Sequence, residues 1–490
     1  MQEYENFKKR GSFVLSSDTE VQGELYLDGG KTILNLFSDR PFNTRSSQDI
    51  LGSFYDHSKV SLIKCVQLNQ QLGMNKNGCY CVLSIFPYFV LFGDEHIRSS
   101  DRVIIKLSFT VDDAAILFRD LGVFGEVIDA RPHLERIAKQ QEDGRKINIG
   151  EHPHLFYFSG KHEILFADTV LGKISVSHNG SYRLPDSEGI HVDNTIRINI
   201  AFESKKTVGE AISSVFDLLR FLEIIAGRPQ NISRLSFSIE GDGEHPKTLD
   251  VYWCTSPRRD SDTASHKPYW RSLPIQGAEK PDEFAGVLKR WLERDNERRG
   301  ARVRFSTAFA HQNRYTIDRI VGAANMFDIL PSSVYPETIT LSPELEEARK
   351  NARKKFKALP NSPERSSVLG TLGRIGKPTL KRKVRDRAKR ITEIVGDRFP
   401  ELEKVVDQAV DCRNYYVHGS TTKIDYGKHS ELLSFLTNTL EFVFAASDLI
   451  EAGWDIKGWI EQISALSHPF AQYRSNYAEK LNELNKLVVD

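Results

Sequence analysis

No run of apolar residues in this 490-residue chain reaches the roughly 18 to 20 needed to cross a bilayer. The nearest stretch, 79–93, is shorter and is interrupted by Ser84 and Pro87. The opening residues, MQEYENFKKR, have no apolar core, which argues against a secretory signal. Cysteines are few: Cys65, Cys79, Cys81, Cys254 and Cys412, an odd number without a paired CxxC framework. That usage fits a reducing compartment, so the expected location is the cytoplasm, with no membrane partner. The sequons at Asn179 and Asn231 then carry no glycosylation. An excess of either charge is also lacking, with 67 Lys and Arg against 66 Asp and Glu. No Walker loop, dinucleotide fingerprint or HExxH pair occurs, and no cofactor is expected. Cys65, Cys79 and Cys81 with His57 have the donor chemistry for part of a zinc site, but their spacing matches no recognised pattern. Small buried thiols in a sheet account for them as well.

What is present divides in two, and the length allows two to four domains. The first part reads as strands. Residues 21–37 alternate polar and apolar on both sides of Asp28-Gly29-Gly30, a hairpin signature. Segments 60–65, 80–92, 173–177 and 195–202 continue the pattern. One helix interrupts it. Thr207 and Glu210 form a capping box, an apolar-periodic run follows, and Gly227 with Pro229 supplies the stop. Asp112 and Asp113 read as first-turn acids of another short helix. Residues 255–283 are polar and Pro-interrupted, a long loop. From about Phe284 the spacing is helical, over 284–299, 306–329, 342–358, 379–395, 400–418, 428–452 and 471–488. The expected fold class is therefore α+β: a β-rich region over 1–300, then an all-α bundle over 301–490.

The neutral total hides a local imbalance. Between Arg349 and Arg390 stand sixteen Lys and Arg against two acids, Glu364 and Asp386. The Pro and Gly residues inside this tract (Pro360, Pro363, Gly370, Gly373, Gly376, Pro378) read as a flexible connector. Ordinary solvated faces mix signs, so an unmixed run is a candidate phosphate-backbone footprint. The expected RNA contacts are Lys381, Arg382, Lys383, Arg385, Arg387, Lys389 and Arg390, with Tyr416 as a stacking aromatic.

Chemistry points to 413–418, Arg-Asn-Tyr-Tyr-Val-His. An Arg followed after four to six residues by His is a cheap pattern, expected roughly three times by chance in a chain this rich in Arg. It occurs four times, as Arg145/His152, Arg259/His266, Arg304/His311 and Arg413/His418. Only the last pair lies on an amphipathic helix, with Leu402, Val405, Val406, Ala409 and Val410 on one face and Gly419 as its stop. Asn414 precedes His418 by four residues, so its amide shares a face with the imidazole and is placed to orient it. Arg413 lies on the adjoining face, and its side chain meets His418 only near a helix end.

Arg413-Asn414 followed by Val417-His418-Gly419, on a long helix of a C-terminal bundle, resembles the catalytic motif of HEPN ribonucleases. The hairpin 23–30 (GELYLDGG), 60–65, 89–93 (FVLFG) and the sheet-then-helix order of 196–228 resemble the ApeA family of anti-phage proteins. The resemblance covers most of the chain. It implies a β-rich sensing region joined to a HEPN domain in abortive infection, with Arg413 and His418 as the catalytic pair and Asn414 beside them. It further implies cleavage of RNA, tRNA being the usual class, and a phage component, such as a protein, as trigger. Some HEPN toxins carry a Tyr two residues after the His as a target for inactivating AMPylation; here that position is Ser420.

Residue types suggest the mechanism. A ribose 2′-OH attacks its own 3′-phosphate when a base takes its proton and an acid protonates the leaving 5′-oxygen. A guanidinium holds the phosphate and stabilises the added charge. One chain offers a single histidine here, so a homodimer or higher even oligomer would complete the site. The alternative is a non-catalytic RNA-binding and dimerisation module joined to a ligand-sensing β-rich domain.

Overall fold

The computed structural model describes the chain apart from residues 1–6, 17–18, 43–47, 77, 141–146, 187–188, 242, 244, 257–266, 312–313, 336–340, 420–423, 464 and 490. Arg145, Arg259, His266 and Ser420 therefore lie outside the described residues. The chain forms two compact units, 1–226 with 230–292, and 227–229 with 293–490.

In the first unit β1 (Lys8–Ser16) runs into β2 (Thr19–Tyr26), and a 3-10 turn at Gly29–Lys31 leads to β3 (Ile33–Ser38). Gly29 has φ of 51°, the left-handed region that a residue without Cβ enters freely. Tyr26 pairs with Ile33 and Leu25 with Leu34, so the hairpin expected at Asp28-Gly29-Gly30 is present. β4 (Gln48–Phe54), β5 (Lys59–Asn75) and β6 (Gly78–Gly93) follow. β1 pairs with both β2 and β4, β4 with β5, β5 with β6, and β6 with β3. These six antiparallel strands close a barrel, whose inward-facing residues alternate with outward ones. Phe13, Leu25, Leu34, Leu36, Ile50, Val60, Leu62, Leu83 and Ile85 fill its core.

The three clustered cysteines do not converge. Cys65 is buried opposite Pro87, whereas Cys81 pairs with Leu72, six positions back along β6. That separation is about 20 Å of strand. Cys79 is exposed. Among the described residues no group of three His, Cys, Asp or Glu is placed to hold a metal ion.

Six more strands extend the sheet from β6, and two others stand apart. They are β7 (Ile104–Val111), β8 (Phe124–Val127), β9 (Leu155–Phe158), β10 (Glu163–Thr169), β11 (Gly172–Asp186), β12 (Gly189–Lys206), β13 (Ile232–Ile239) and β14 (Lys247–Trp253). β8 and β9 form a separate pair, and the remainder run in the order β14-β13-β7-β12-β11-β10. One edge of β6 follows β5 throughout; the other pairs with β3 over 81–85 and with β14 over 89–92.

Three short or medium helices join the strands: α1 (Ala114–Leu117), α2 (Arg131–Gln140) and α3 (Val208–Ala226). Before α1, Asp113 does not cap the helix with its side chain. It accepts from Gln230 Nε2 at 2.7 Å, while Asp112 accepts from Asn231 at 2.8 Å. α3 packs on the sheet against β7 and β12. Its capping box closes as the residues require: Glu210 accepts from Thr207 N at 2.9 Å, and Thr207 Oγ1 accepts from Glu210 N at 3.3 Å. Thr207→Ala is expected to lower stability by about 1 kcal/mol, read as a lower urea midpoint at unchanged slope. α4 (Pro281–Glu293) completes this unit, with Trp291 and Phe284 packed on Phe221.

The second unit is helical: α5 (Asp295–Phe309), α6 (Ile317–Ile329), α7 (Pro343–Lys357), α8 (Pro363–Arg374), α9 (Leu380–Val395), α10 (Leu402–His418), α11 (Leu432–Glu451), α12 (Ile456–Glu461) and α13 (Pro469–Val489). The run expected over 284–299 breaks at Arg294, whose φ and ψ of −95° and 0° separate α4 from α5. The run expected over 306–329 breaks between Phe309 and Ile317. Residues 363–374, read as connector, form α8, because Ser362 caps it and Pro363 sits at its first turn, where proline is tolerated.

α11 is long and apolar enough to pass for a membrane span, yet most of it is buried in the bundle. Its acids explain how it tolerates that position. Asp448 accepts from Arg298 at 2.5 Å and from Arg302 Nε at 2.9 Å, and Arg302 also reaches Asp295 at 3.1 Å. Glu451 pairs with Arg387 at 2.8 Å and Arg390 at 2.6 Å. Nearby, Glu441 holds Arg319 through two bonds of 2.8 Å. Buried charges persist because each faces its opposite.

Candidate active site

α10 presents a buried face of Leu402, Val405, Val406, Ala409, Val410 and Cys412 to the bundle. Gly419, at φ of 63°, ends the helix by donating its N–H to Tyr415 O at 3.0 Å. This leaves the last turn open, with His418 exposed and Arg413 half-buried. Burial pushes the Cys412 thiol up to about 12, so the neighbouring sulfur stays protonated at neutral pH and is no nucleophile.

The helix end brings Arg413 and His418 together. Arg413 Nη1 lies 3.2 Å from His418 Nε2 and also donates to Asn414 Oδ1 at 3.0 Å. Nη2 donates to Asn325 Oδ1 at 3.3 Å, across from α6. Guanidinium is only a donor, so the role open to Nε2 in this contact is that of acceptor. Among the described residues, Arg413 Nε is buried without a hydrogen-bond partner. The expectation that Asn414 orients the imidazole is corrected: its amide oxygen instead steadies the guanidinium. Asn325, 88 positions upstream, carries no local sequence signal and was missed. Arg304 sits within α5 while His311 follows its end, and no hydrogen bond joins them.

Tyr416 is half-buried, and its hydroxyl donates to Tyr426 O at 3.0 Å. Tyr426 in turn donates to Gln408 Oε1 at 3.0 Å. These bonds fasten the segment after the motif back onto α10. The Tyr416 ring packs edge-on to Tyr415, so its hydroxyl and one edge are engaged within the bundle.

The expected RNA contacts on α9 separate sharply. Arg387 is fully buried, paired with Glu451 and donating to Ser447 Oγ at 2.9 Å. It is a structural cation, and its assignment as an RNA contact is corrected. Lys381 pairs with Asp411 at 2.6 Å, Lys383 with Asp328 at 3.0 Å, and Arg385 with Asp407 through two bonds. Arg390 is half-buried between Glu451 and Val334 O. Arg382 and Lys389 are exposed; Lys389 faces Glu393 at 4.0 Å. Most of the positive charge on α9 is therefore neutralised by acids that lie one helix away.

Two family models match the chain. One, described as ApeA N-terminal domain 1, matches residues 8–291, more than half of the 490. The other, Apea-like HEPN, matches residues 321–457 and so includes Asn325, Arg413, Asn414 and His418. No curated protein and no solved structure matches.

Proposed function

The chain belongs to the ApeA family, whose HEPN domain places it among anti-phage nucleases, and from that premise we propose that it is a metal-independent endoribonuclease of abortive infection. HEPN domains generally act on RNA and dimerise. The observation that carries the reading is the 3.2 Å approach of Arg413 Nη1 to His418 Nε2 on an open helix end. A fixed cation and a titratable imidazole within reach of one phosphodiester are the groups that transesterification needs.

An entering phosphate oxygen competes with the imidazole for Arg413 Nη1. Accepting that bond frees Nε2 and places the guanidinium on the developing negative charge, where charge-assisted bonds are strongest. Nε2 then takes the 2′-OH proton, the 2′-oxygen attacks phosphorus, and the 5′-oxygen departs. Asn414 and Asn325 keep the guanidinium pointed at this position. The leaving oxygen needs a proton donor, and a second His418 from a partner chain supplies it if two motif helices face one another across a two-fold axis. Substrate RNA, with tRNA as the expected class, reaches the site when the β-rich unit meets a phage component.

This chemistry has a distinctive signature. RNA is expected to yield fragments ending in 2′,3′-cyclic phosphate, in EDTA as in magnesium. Single-stranded DNA of the same sequence stays intact because it has no nucleophile. Cleavage of the DNA, or abolition of RNA cleavage by EDTA, would sink the mechanism.

A further inference from the structure

The positive tract contains a second population of cations that the acids do not neutralise. Between Glu347 and Asp386 only Glu364 is acidic. On α7 the side chains of Arg353, Lys354, Lys355 and Lys357 are exposed, as are Arg374 and Lys377 at the far end of α8. None of the six forms an ion pair among the described residues, in contrast to the paired cations of α9.

The α7–α8 hairpin contributes little to the bundle core, since neither helix has a buried residue. It holds itself together instead. Ser342 and Ser362 cap the two helices, and Arg365 donates to Phe356 O and Lys357 O, each at 2.8 Å, closing the end of α7. Arg349 then donates to Ile375 O at 3.1 Å and fixes the return of the chain. The acids of α7, Glu344, Glu346 and Glu347, all fall in its first turns, where Glu346 pairs with Arg349. Beyond them, a self-capped hairpin with a strong excess of cations and no core role is poorly explained by stability.

Its position is set by register. Lys381 meets Asp411 and Arg385 meets Asp407, so α9 runs antiparallel to α10. The start of α9 thus lies level with Asp411, and from there α10 continues seven residues, about 10 Å, to His418. The hairpin joins the bundle at the end of α10 that carries Arg413 and His418.

We infer that the α7–α8 hairpin is the surface that grips the phosphate backbone of the RNA substrate and presents it to Arg413 and His418. The inference rests on the ribonuclease reading above. The cationic part of α7, residues 349–357, is about 13 Å long, enough to lie beside two or three phosphates. Its cations supply the sequence-independent, salt-sensitive part of binding.

The test uses full-length His418→Ala protein, which holds RNA without cutting it, and bulk tRNA as probe. Adding Arg353→Glu, Lys354→Glu and Lys357→Glu is expected to weaken binding by about tenfold or more. The slope of log K against log salt should shrink by about 2 to 3, close to one per lost phosphate contact. A matched control, Lys76→Glu, Arg136→Glu and Lys139→Glu in the first unit, makes the same change in net charge and should stay within about twofold. A Gln version of the three hairpin substitutions guards against unfolding, because Gln is a good helix former; it should also weaken binding. Parental affinity in the Glu or Gln variant overturns the inference, as does an equal loss in the control. If the His418→Ala parent binds no tRNA, the ribonuclease reading falls and this inference with it. Hairpin-dependent capture by phosphatidylserine vesicles with unchanged tRNA affinity would reassign the surface to a membrane, and would likewise overturn it.

Discussion

Full-length protein carrying His418→Ala is expected to cleave RNA about 10²–10⁴-fold more slowly than wild type while melting at the same temperature. The kinetic loss follows from removing the one imidazole that, among the described residues, lies within hydrogen-bond reach of Arg413. The unchanged melting follows from exposure: His418 lies in the open last turn, and its bond to Arg413 is a surface contact. Arg413→Ala should cost as much activity but is a less clean probe. It also leaves the Asn325 and Asn414 amide oxygens without their donor, so its melting temperature must be read beside its rate. The same substitution separates enzyme from binding module in cells. Toxicity on expression that vanishes with His418→Ala supports catalysis, whereas toxicity that persists supports a module acting by occupancy.

The largest effect on stability is expected at Asp448. Asp448→Asn keeps the shape of the side chain but removes the anion that faces Arg298 and Arg302. Breaking one side of a buried pair leaves uncompensated charge and costs on the order of 3–5 kcal/mol. For a unit of this size that corresponds to roughly 10 °C in melting temperature. A shift under about 2 °C would show that water or a neighbouring acid screens the two guanidinium groups. The pH dependence has a definite sign. Burial alone would raise the Asp448 carboxyl, but Arg302 and Arg298 outweigh it and hold it well below the usual carboxylate range. Glu451 is lowered in the same way by Arg387 and Arg298. Stability from these groups is thus fully present above the unfolded carboxylate range, near pH 4, and is lost as pH falls through the depressed folded values. Wild type should therefore lose stability steeply on acidification, and Asp448→Asn should flatten that acid limb.

What could be read from the residues was mostly local. The Asp28-Gly29-Gly30 hairpin and the Thr207–Glu210 box declare themselves within a few positions, and both form as their chemistry dictates. Closure of the barrel does not, because the pairings of β1 with β4 and of β3 with β6 span tens of residues. α8 was hidden by Gly370 and Gly373, which weaken a helical signal, although Ser362 and Pro363 were an adequate start. The break at Arg294 has no Pro or Gly to announce it. The excess of Lys and Arg over 349–390 was plain, but its division into two classes was not. Arg387 finds Glu451 and Arg385 finds Asp407 only after the helices pack, so sequence distance concealed which cations were already matched. Within the motif, spacing placed Arg413 near His418, while Asn325 arrives from another helix and left no trace.

β6 has a consequence for how the β-rich unit can be divided. Half of one edge closes the barrel through β3, and the other half opens onto β14 and the long sheet. No cut between the barrel and the extended sheet spares this strand. A fragment ending after β6 would present Phe89, Val90, Leu91 and Phe92 as a bare, apolar strand edge, a template for sticking to its own copies. The barrel and the sheet are therefore not two modules with a linker. They are one cooperative object that shares a backbone, and evolution can lengthen its loops more readily than it can exchange either half.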